Sequence, residues 1–213
     1  MLKLYAHSKA SYAARTRYNA DVSDLTAAFA LDFTTSGELL TKRAADDKLV
    51  EIPLTLEWIA GARHLWKALR QRDAHTLNIA GNGLSTLTLH GWSQGRINAF
   101  VYMVVAKVAQ HWSITKIISG GQTGADIAGL VAAVALQIPA IGTLPHGFRQ
   151  RDEQGNDHCH TEATIRGQIA RGVAALAPVP YMGGHRRQPS ETIAPIKPLP
   201  GAPAILRRLT THT

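Results

Sequence analysis

The chain is 213 residues long, enough for one domain with a full core, and its 45% hydrophobic and 18% charged residues describe a soluble globular protein. A single cysteine, Cys159, excludes an internal disulfide framework; with no apolar leader at Met1–Ser8 and no run long enough to cross a bilayer, a cytoplasmic protein without a membrane partner is expected. The net charge of +8 favours acidic partners, yet residues 185–213 hold five Lys/Arg against Glu191 alone and carry half of it, so nucleic acid is only the lesser alternative for the mildly basic body.

In chain order, Tyr12–Asn19 is a polar, helix-compatible approach to a short apolar strand over Ser23–Ala30. Asp32–Glu38 reads as a polar loop feeding a helix over Leu39–Asp46 and a strand over Lys48–Pro53, the rhythm of a parallel sheet. Within Leu56–Arg72, the residues Trp58, Ile59, Ala62, Leu65, Trp66 and Leu69 recur at helical spacing and predict a core-facing helix. His64 and His75 lack metal-ligand spacing. Thr76–Ala80 is a strand that opens into Gly81-Asn82-Gly83-Leu84-Ser85. Ser93 is expected to cap a helix with Ile97, Phe100, Val101, Val104, Val105 and Val108 on one face, and Trp92 with Ile97 forms its hydrophobic staple.

The most informative stretch follows. Ser119-Gly120-Gly121-Gln122-Thr123-Gly124 lies between a β-prone run from Lys116 and a nearly all-apolar helix predicted over Ala125–Ile138. Glycines let backbone N–H groups approach a ligand, and the positive end of the next helix favours a phosphate. One glycine would need no more than a tight turn, whereas three interleaved with Gln122 and Thr123, with Asp126 in the first helical turn, fit a ligand loop. Pro139–Leu144 is another strand, Pro145–Gly155 a charged loop and Thr161–Val173 a helix. Seven prolines between Pro178 and Pro203 divide the chain into a domain over 1–177 and a Pro-rich basic tail over 178–213, which either extends freely, wraps the body or recruits a partner domain.

Five strands separated by helices predict an α/β fold: an open, mostly parallel sheet of about five strands with helices on both faces. The polar loops at 31–38, 81–85, 119–126 and 145–151 all follow strands, and should converge on the carboxyl edge, where such sheets bind ligands.

Ser119–Asp126, Ile138-Pro139 and Pro145-His-Gly-Phe-Arg149 resemble the opening half of the molybdenum-cofactor carrier family. Those proteins share a Rossmann-like superfamily with the Lonely Guy phosphoribohydrolases and the DNA-processing A proteins. The family's later half resembles residues that come earlier here: Tyr12, Arg15-Thr16, Asn19, Ser23-Asp24, Thr26 and Phe29, then Gly37 and Thr41, then Leu77–Gly81. The halves are swapped, which implies a circularly permuted Rossmann-like domain; termini that lie close together make this tolerable. The resemblance implies a nucleotide-like ligand, with molybdenum cofactor as one candidate, and relatives that are often homodimers.

As a binding site, the amides of Gly120, Gly121, Thr123 and Gly124 would receive a phosphate, with the Thr123 hydroxyl as a further donor and Arg15 and Arg149 as counter-charges. Ser119, Gln122, Thr16, Ser36, Gly37, Gly81 and Gly83 complete the candidate ligand-binding set. Asp126 either accepts from a ribose hydroxyl or base or orients its own helix; Asn19 and Asn82 are amides able to read a heterocycle edge, Asn82 alternatively being a turn residue with positive φ. The enzyme alternative is a nucleotide N-glycosidase or phosphohydrolase. Related phosphoribohydrolases carry Gly-Thr-x-x-Glu, and here Glu38 stands in place of the Thr and Thr41 in place of the Glu, so Glu38 and Asp32 become the candidate catalytic carboxylates. No metal is expected: Asp157-His-Cys-His160 lacks the separated spacing of zinc sites.

Overall fold

A computed structural model describes residues 1–176, and the tail predicted over 178–213 lies outside them. The apolar runs form six strands: β1 (Leu2–Ala6), β2 (Leu25–Ala30), β3 (Leu49–Pro53), β4 (Thr76–Gly81), β5 (Lys116–Ser119) and β6 (Ala140–Leu144). They pair in one parallel sheet in the order β1-β6-β5-β4-β2-β3. The helices are α1 (Tyr12–Asp21), α2 (Ser36–Ala45), α3 (Trp58–Arg72), the short α4 (Leu84–Thr88), α5 (Gln94–Ala109), α6 (Ala125–Ala135) and α7 (Glu162–Ala174).

Handedness assigns the faces. Steps toward β3, from β1 to β2 and from β2 to β3, pass through α1 and α2, which pack together on one face. Steps in the opposite direction pass through α3, α5 and α6, which pack on the other with α7. A right-handed crossover requires this division. β2 and β4 are therefore neighbours whose chains leave toward opposite faces, which opens a crevice beyond their carboxyl ends.

Strand alternation makes the two faces unlike. Leu25, Ala27, Phe29, Leu77 and Ile79 join Leu65, Leu69, Val101, Val104, Leu130 and Val131 in the buried apolar core, each large side chain contributing about 1.5–3 kcal/mol. The contact between α6 and β4 is close: a Cβ on Gly129 would lie 2.7 Å from the Ile79 side chain. The alternate positions toward α1 and α2 are small or polar, Thr26, Ala28, Asn78 and Ala80, and they leave room for a cavity.

The sheet has six strands rather than about five. β1 escapes the pattern because it is an edge strand paired only with β6, and of its five residues only Leu4 is buried. α2 starts at Ser36, not Leu39, since the Thr35 hydroxyl caps it by accepting from the Glu38 amide at 3.2 Å. α6 stops at Ala135, and Gln137 takes φ +58°, so the helix does not reach Ile138. The charged loop after β6 contains a hairpin, β7 (Gln150–Arg151) with β8 (Asp157–His158), turned by the Asp152 carboxylate accepting from the Gln154 and Asn156 amides. Ser93 caps α5 as expected, accepting from the Arg96 amide at 3.2 Å. Among the described residues no helix is long and apolar enough to cross a membrane.

Candidate ligand-binding site

A cavity of about 610 Å³ lies at the carboxyl edge, between α1, the start of α2 and the loops after β4, β5 and β6. Twelve of the candidate residues line it: Arg15, Thr16, Asn19, Ser36, Gly37 and Glu38 from the first two helices, and Gly81, Gly83, Gln122, Thr123, Asp126 and Arg149 from the loops.

Six others serve the frame instead. Asp32 sits outside the cavity lining because its carboxylate accepts from the Thr34 amide at 2.7 Å and the Thr34 hydroxyl at 2.6 Å; those bonds hold it below the ordinary carboxylate range. It is a turn former, not a candidate catalyst. Asn82 is fully buried and neither reads a heterocycle nor takes positive φ. Its Oδ1 accepts from the Leu31 and Asp32 amides at 2.8 and 3.0 Å, its Nδ2 donates to the Asp32 carbonyl at 2.9 Å, and its own carbonyl accepts from Ala125 N at 3.1 Å. One residue, by side chain and backbone carbonyl, thus ties the loops after β2, β4 and β5 together. Ser119 is buried with Oγ 2.7 Å from the Ile79 carbonyl, and so braces β5 against β4.

The remaining three are Gly120, Gly121 and Gly124. The Gly124 amide donates to Gln94 Oε1 at 2.6 Å, while Gln94 Nε2 donates to the Gly124 carbonyl at 2.9 Å. Gly124 has φ +95° and bridges Gly83 on the neighbouring loop; Gly121 has φ +68°, and a Cβ there would lie 2.7 Å from Leu144. A Cβ on Gly120 would overlap the Arg15 guanidinium. The Gln122 amide donates to Asp126 Oδ2 at 3.3 Å, Thr123 N to Gln122 Oε1 at 3.1 Å, and the Thr123 hydroxyl to the Arg151 carbonyl at 2.5 Å. The donors at Thr123 and Gly124 expected to meet a phosphate are therefore engaged within the protein.

Arg15 is engaged as well. Its NH1 lies 2.7 Å from Asp126 Oδ2, and both side chains are buried. Burial pushes the Asp126 carboxyl upward, against the pull of the guanidinium. Asp126 lines the cavity and, through Arg15 NH1 and the Gln122 amide, locks its own loop to α1.

Glu38 lies in the first turn of α2, 5% exposed, with Asn82 Nδ2 at 3.4 Å from Oε1. Burial, then the nearby Asp126 charge, raises its pKa to about 8, the Asn82 bond opposing them. Its carboxyl is mostly protonated at neutral pH. Thr41, one turn later, donates to the Gly37 carbonyl at 3.1 Å and is a pocket wall.

Two contributors went unread in the sequence. Arg151 lines the cavity with Arg149, their guanidinium carbons lying 5.3 and 5.0 Å from the Tyr12 ring centre. Arg-x-Arg in extended chain puts both side chains on one side, and that spacing was the available signal. Asp157 holds the group: it accepts from the Tyr12 hydroxyl at 2.6 Å and from Arg151 Nε at 3.2 Å. Although partial desolvation pulls Asp157 upward, those bonds keep it low, while burial and then the Asp157 bond raise Tyr12. Asn78 is the second: a polar residue amid the apolar Leu77 and Ile79 marks a floor position, and its Nδ2 donates to Thr26 Oγ1 at 3.2 Å. Asp157-His-Cys-His160 is drawn elsewhere, with His158 Nε2 2.8 Å from Asp152; no group of three or more candidate metal ligands occurs among the described residues.

No curated protein and no solved structure matches the chain. Residues 117–171, from β5 through α6, β6 and the hairpin into α7, match the model of the circularly permutated YpsA SLOG family, the permuted Rossmann-like kind that the motif order implies.

Proposed function

We propose that the cavity binds a small phosphorylated molecule of the nucleotide class, molybdenum cofactor being one candidate, and that its phosphate rests on the first turn of α2. One observation carries this reading. Among the described residues, the Ser36 and Gly37 amides make no hydrogen bond, and both residues line the cavity at the positive end of a ten-residue helix. The Arg149 and Arg151 side chains line the same space and add positive potential, although Asp157 balances part of it. The family match supports a ligand-binding domain of this type.

The test is native mass spectrometry of the protein from its expression host, followed by denaturing release of bound molecules. A phosphorylated adduct that survives Arg171→Ala, on α7 away from the cavity lining, but is lost in Ser36→Pro supports the reading. An empty protein with no thermal shift in nucleoside monophosphates, sugar phosphates or molybdenum cofactor overturns it.

A second reading has its own observation. Glu38 is a protonated carboxyl within the cavity at neutral pH, the state required of a general acid in N-glycosidic cleavage. Release of free base from a nucleoside monophosphate, abolished in Glu38→Gln, would favour turnover over binding alone.

A further inference from the structure

Four buried polar atoms of cavity-lining residues have no partner in the protein: Asn19 Oδ1, Glu38 Oε2 and Arg15 Nε on the first two helices, and Arg149 Nε after β6. Asn19, Glu38 and Arg15 are 2, 5 and 8% exposed, so bulk water does not account for their atoms. Buried polar groups are nearly always paired, and an unpaired one costs about 1–3 kcal/mol. The neighbouring polar atoms are accounted for: Arg15 NH1 by Asp126, Glu38 Oε1 by Asn82, Thr41 Oγ1 by Gly37 and Asn78 Nδ2 by Thr26. Three of the four lie together on α1 and α2, on the walls of one cavity floored by Ala80 and Asn78.

The chemistry of the three atoms is mixed. Asn19 Oδ1 accepts only, Arg15 Nε donates only, and a protonated Glu38 does either. An apolar group would leave all three unpaired. An anionic group would face Asp126 and, once ionised, Glu38. We infer that the inner end of the cavity receives a nitrogen heterocycle bearing an exocyclic amino group, which donates to Asn19 Oδ1 while an adjacent ring nitrogen or carbonyl accepts from Glu38 or Arg15. This rests on the phosphorylated-ligand reading and adds to it: the phosphate sits at the start of α2 and the base between α1 and α2. The neutral state of Glu38 at pH 7 supplies the proton such a contact uses.

Calorimetric titration of the full chain at pH 7 with AMP, GMP, purine riboside 5′-monophosphate, which lacks the amino group, and ribose 5-phosphate tests it. AMP or GMP should bind at least about tenfold more tightly than the unsubstituted purine, because a site built around a hydrogen bond rejects a ligand that cannot make it. Asn19→Leu should bring that ratio close to one. If Asn19→Leu does not fold, Asn19→Asp keeps an acceptor and should retain the preference, and the wild-type ratio decides alone. Equal affinity for AMP, GMP and either analogue overturns the inference and leaves the phosphate site standing. Absence of binding by the whole series overturns both.

Discussion

Two strand-to-helix loops meet at the cavity, and only the first looks like a phosphate loop in the sequence. After β5, Ser119–Asp126 has three glycines; after β2, Thr34–Glu38 has one. In the first, the amides of Gln122, Thr123, Gly124 and Ala125 all have acceptors inside the protein. Its glycines answer to positive φ at Gly121 and Gly124 and to the close passage of Arg15 at Gly120. In the second, Ser36 and Gly37 keep their amides uncommitted, and a Cβ on Gly37 would meet nothing nearer than Thr35 Oγ1 at 3.9 Å. The Gly120 and Gly121 amides have no acceptor either, but those two residues lie off the cavity lining, whereas Ser36 and Gly37 line it; uncommitted amides on the lining mark the place for an anion.

If the loop after β5 is a brace, its damage should appear as lost stability. Asp126→Asn leaves Arg15 buried without a counter-charge and should cost about 3–5 kcal/mol in urea unfolding. The double variant Arg15→Met with Asp126→Leu should recover most of it, because two apolar groups leave no orphaned charge. A single variant of wild-type stability would deny the pair its bracing role. Gly120→Ala comes next: its methyl overlaps Arg15 and approaches Asp126, an overpacking cost of about 1–3 kcal/mol. Gly37→Ala, in open space and within a helix, should be neutral or stabilising by up to about 1 kcal/mol. Equal stability of the two alanine variants would erase the distinction between the loops.

Glu38 links the second loop to pH. Its folded pKa of about 8 stands above the 4.5 of an ordinary glutamate, so the folded state binds the extra proton between those values. Unfolding then releases it, and stability falls as pH rises from about 4.5 to 8, levelling above that range. Glu38→Gln carries no proton to lose. Relative to wild type, its Tm should rise by about 2–4 °C for each kcal/mol relieved, little at pH 4.5 and most above pH 8. A difference independent of pH would mean that the carboxyl titrates normally.

Much of this was legible beforehand because it depends on local pattern. Apolar runs bounded by polar loops gave β2 to β6, and strand exits gave the convergence on one edge, since a parallel sheet leaves no other place for those loops. β1 was hidden because an edge strand with one buried residue has almost no alternation to read. The roles of Asp126, Arg15 and Asn82 were hidden for another reason. Whether a polar side chain faces a ligand or a neighbouring loop depends on contacts such as Arg15 to Asp126, 111 positions apart in the chain. Composition records that such groups exist; only packing records which of them are already satisfied.

The smallest expected change in stability carries the sharpest test of function. Ser36 is the first residue of α2, where proline is favoured because its missing N–H has no helical partner and its φ suits the first turn. Thr35 before it already has φ −62° and ψ 153°, the extended region a residue preceding proline requires. Ser36→Pro should therefore keep the fold, with stability within about 1 kcal/mol of wild type. It removes one of the two uncommitted amides and the Ser36 hydroxyl, leaving Arg149 and Arg151 untouched. A hydrogen bond to a charged group is worth about 1.5–3 kcal/mol, so the affinity for a nucleoside monophosphate should fall at least about tenfold. Ser36→Ala, which keeps the amide, separates backbone from hydroxyl and should lose much less. If both variants bind like wild type while Arg149→Ala does not, the phosphate lies beside Tyr12 and the hairpin, and the start of α2 is only a wall.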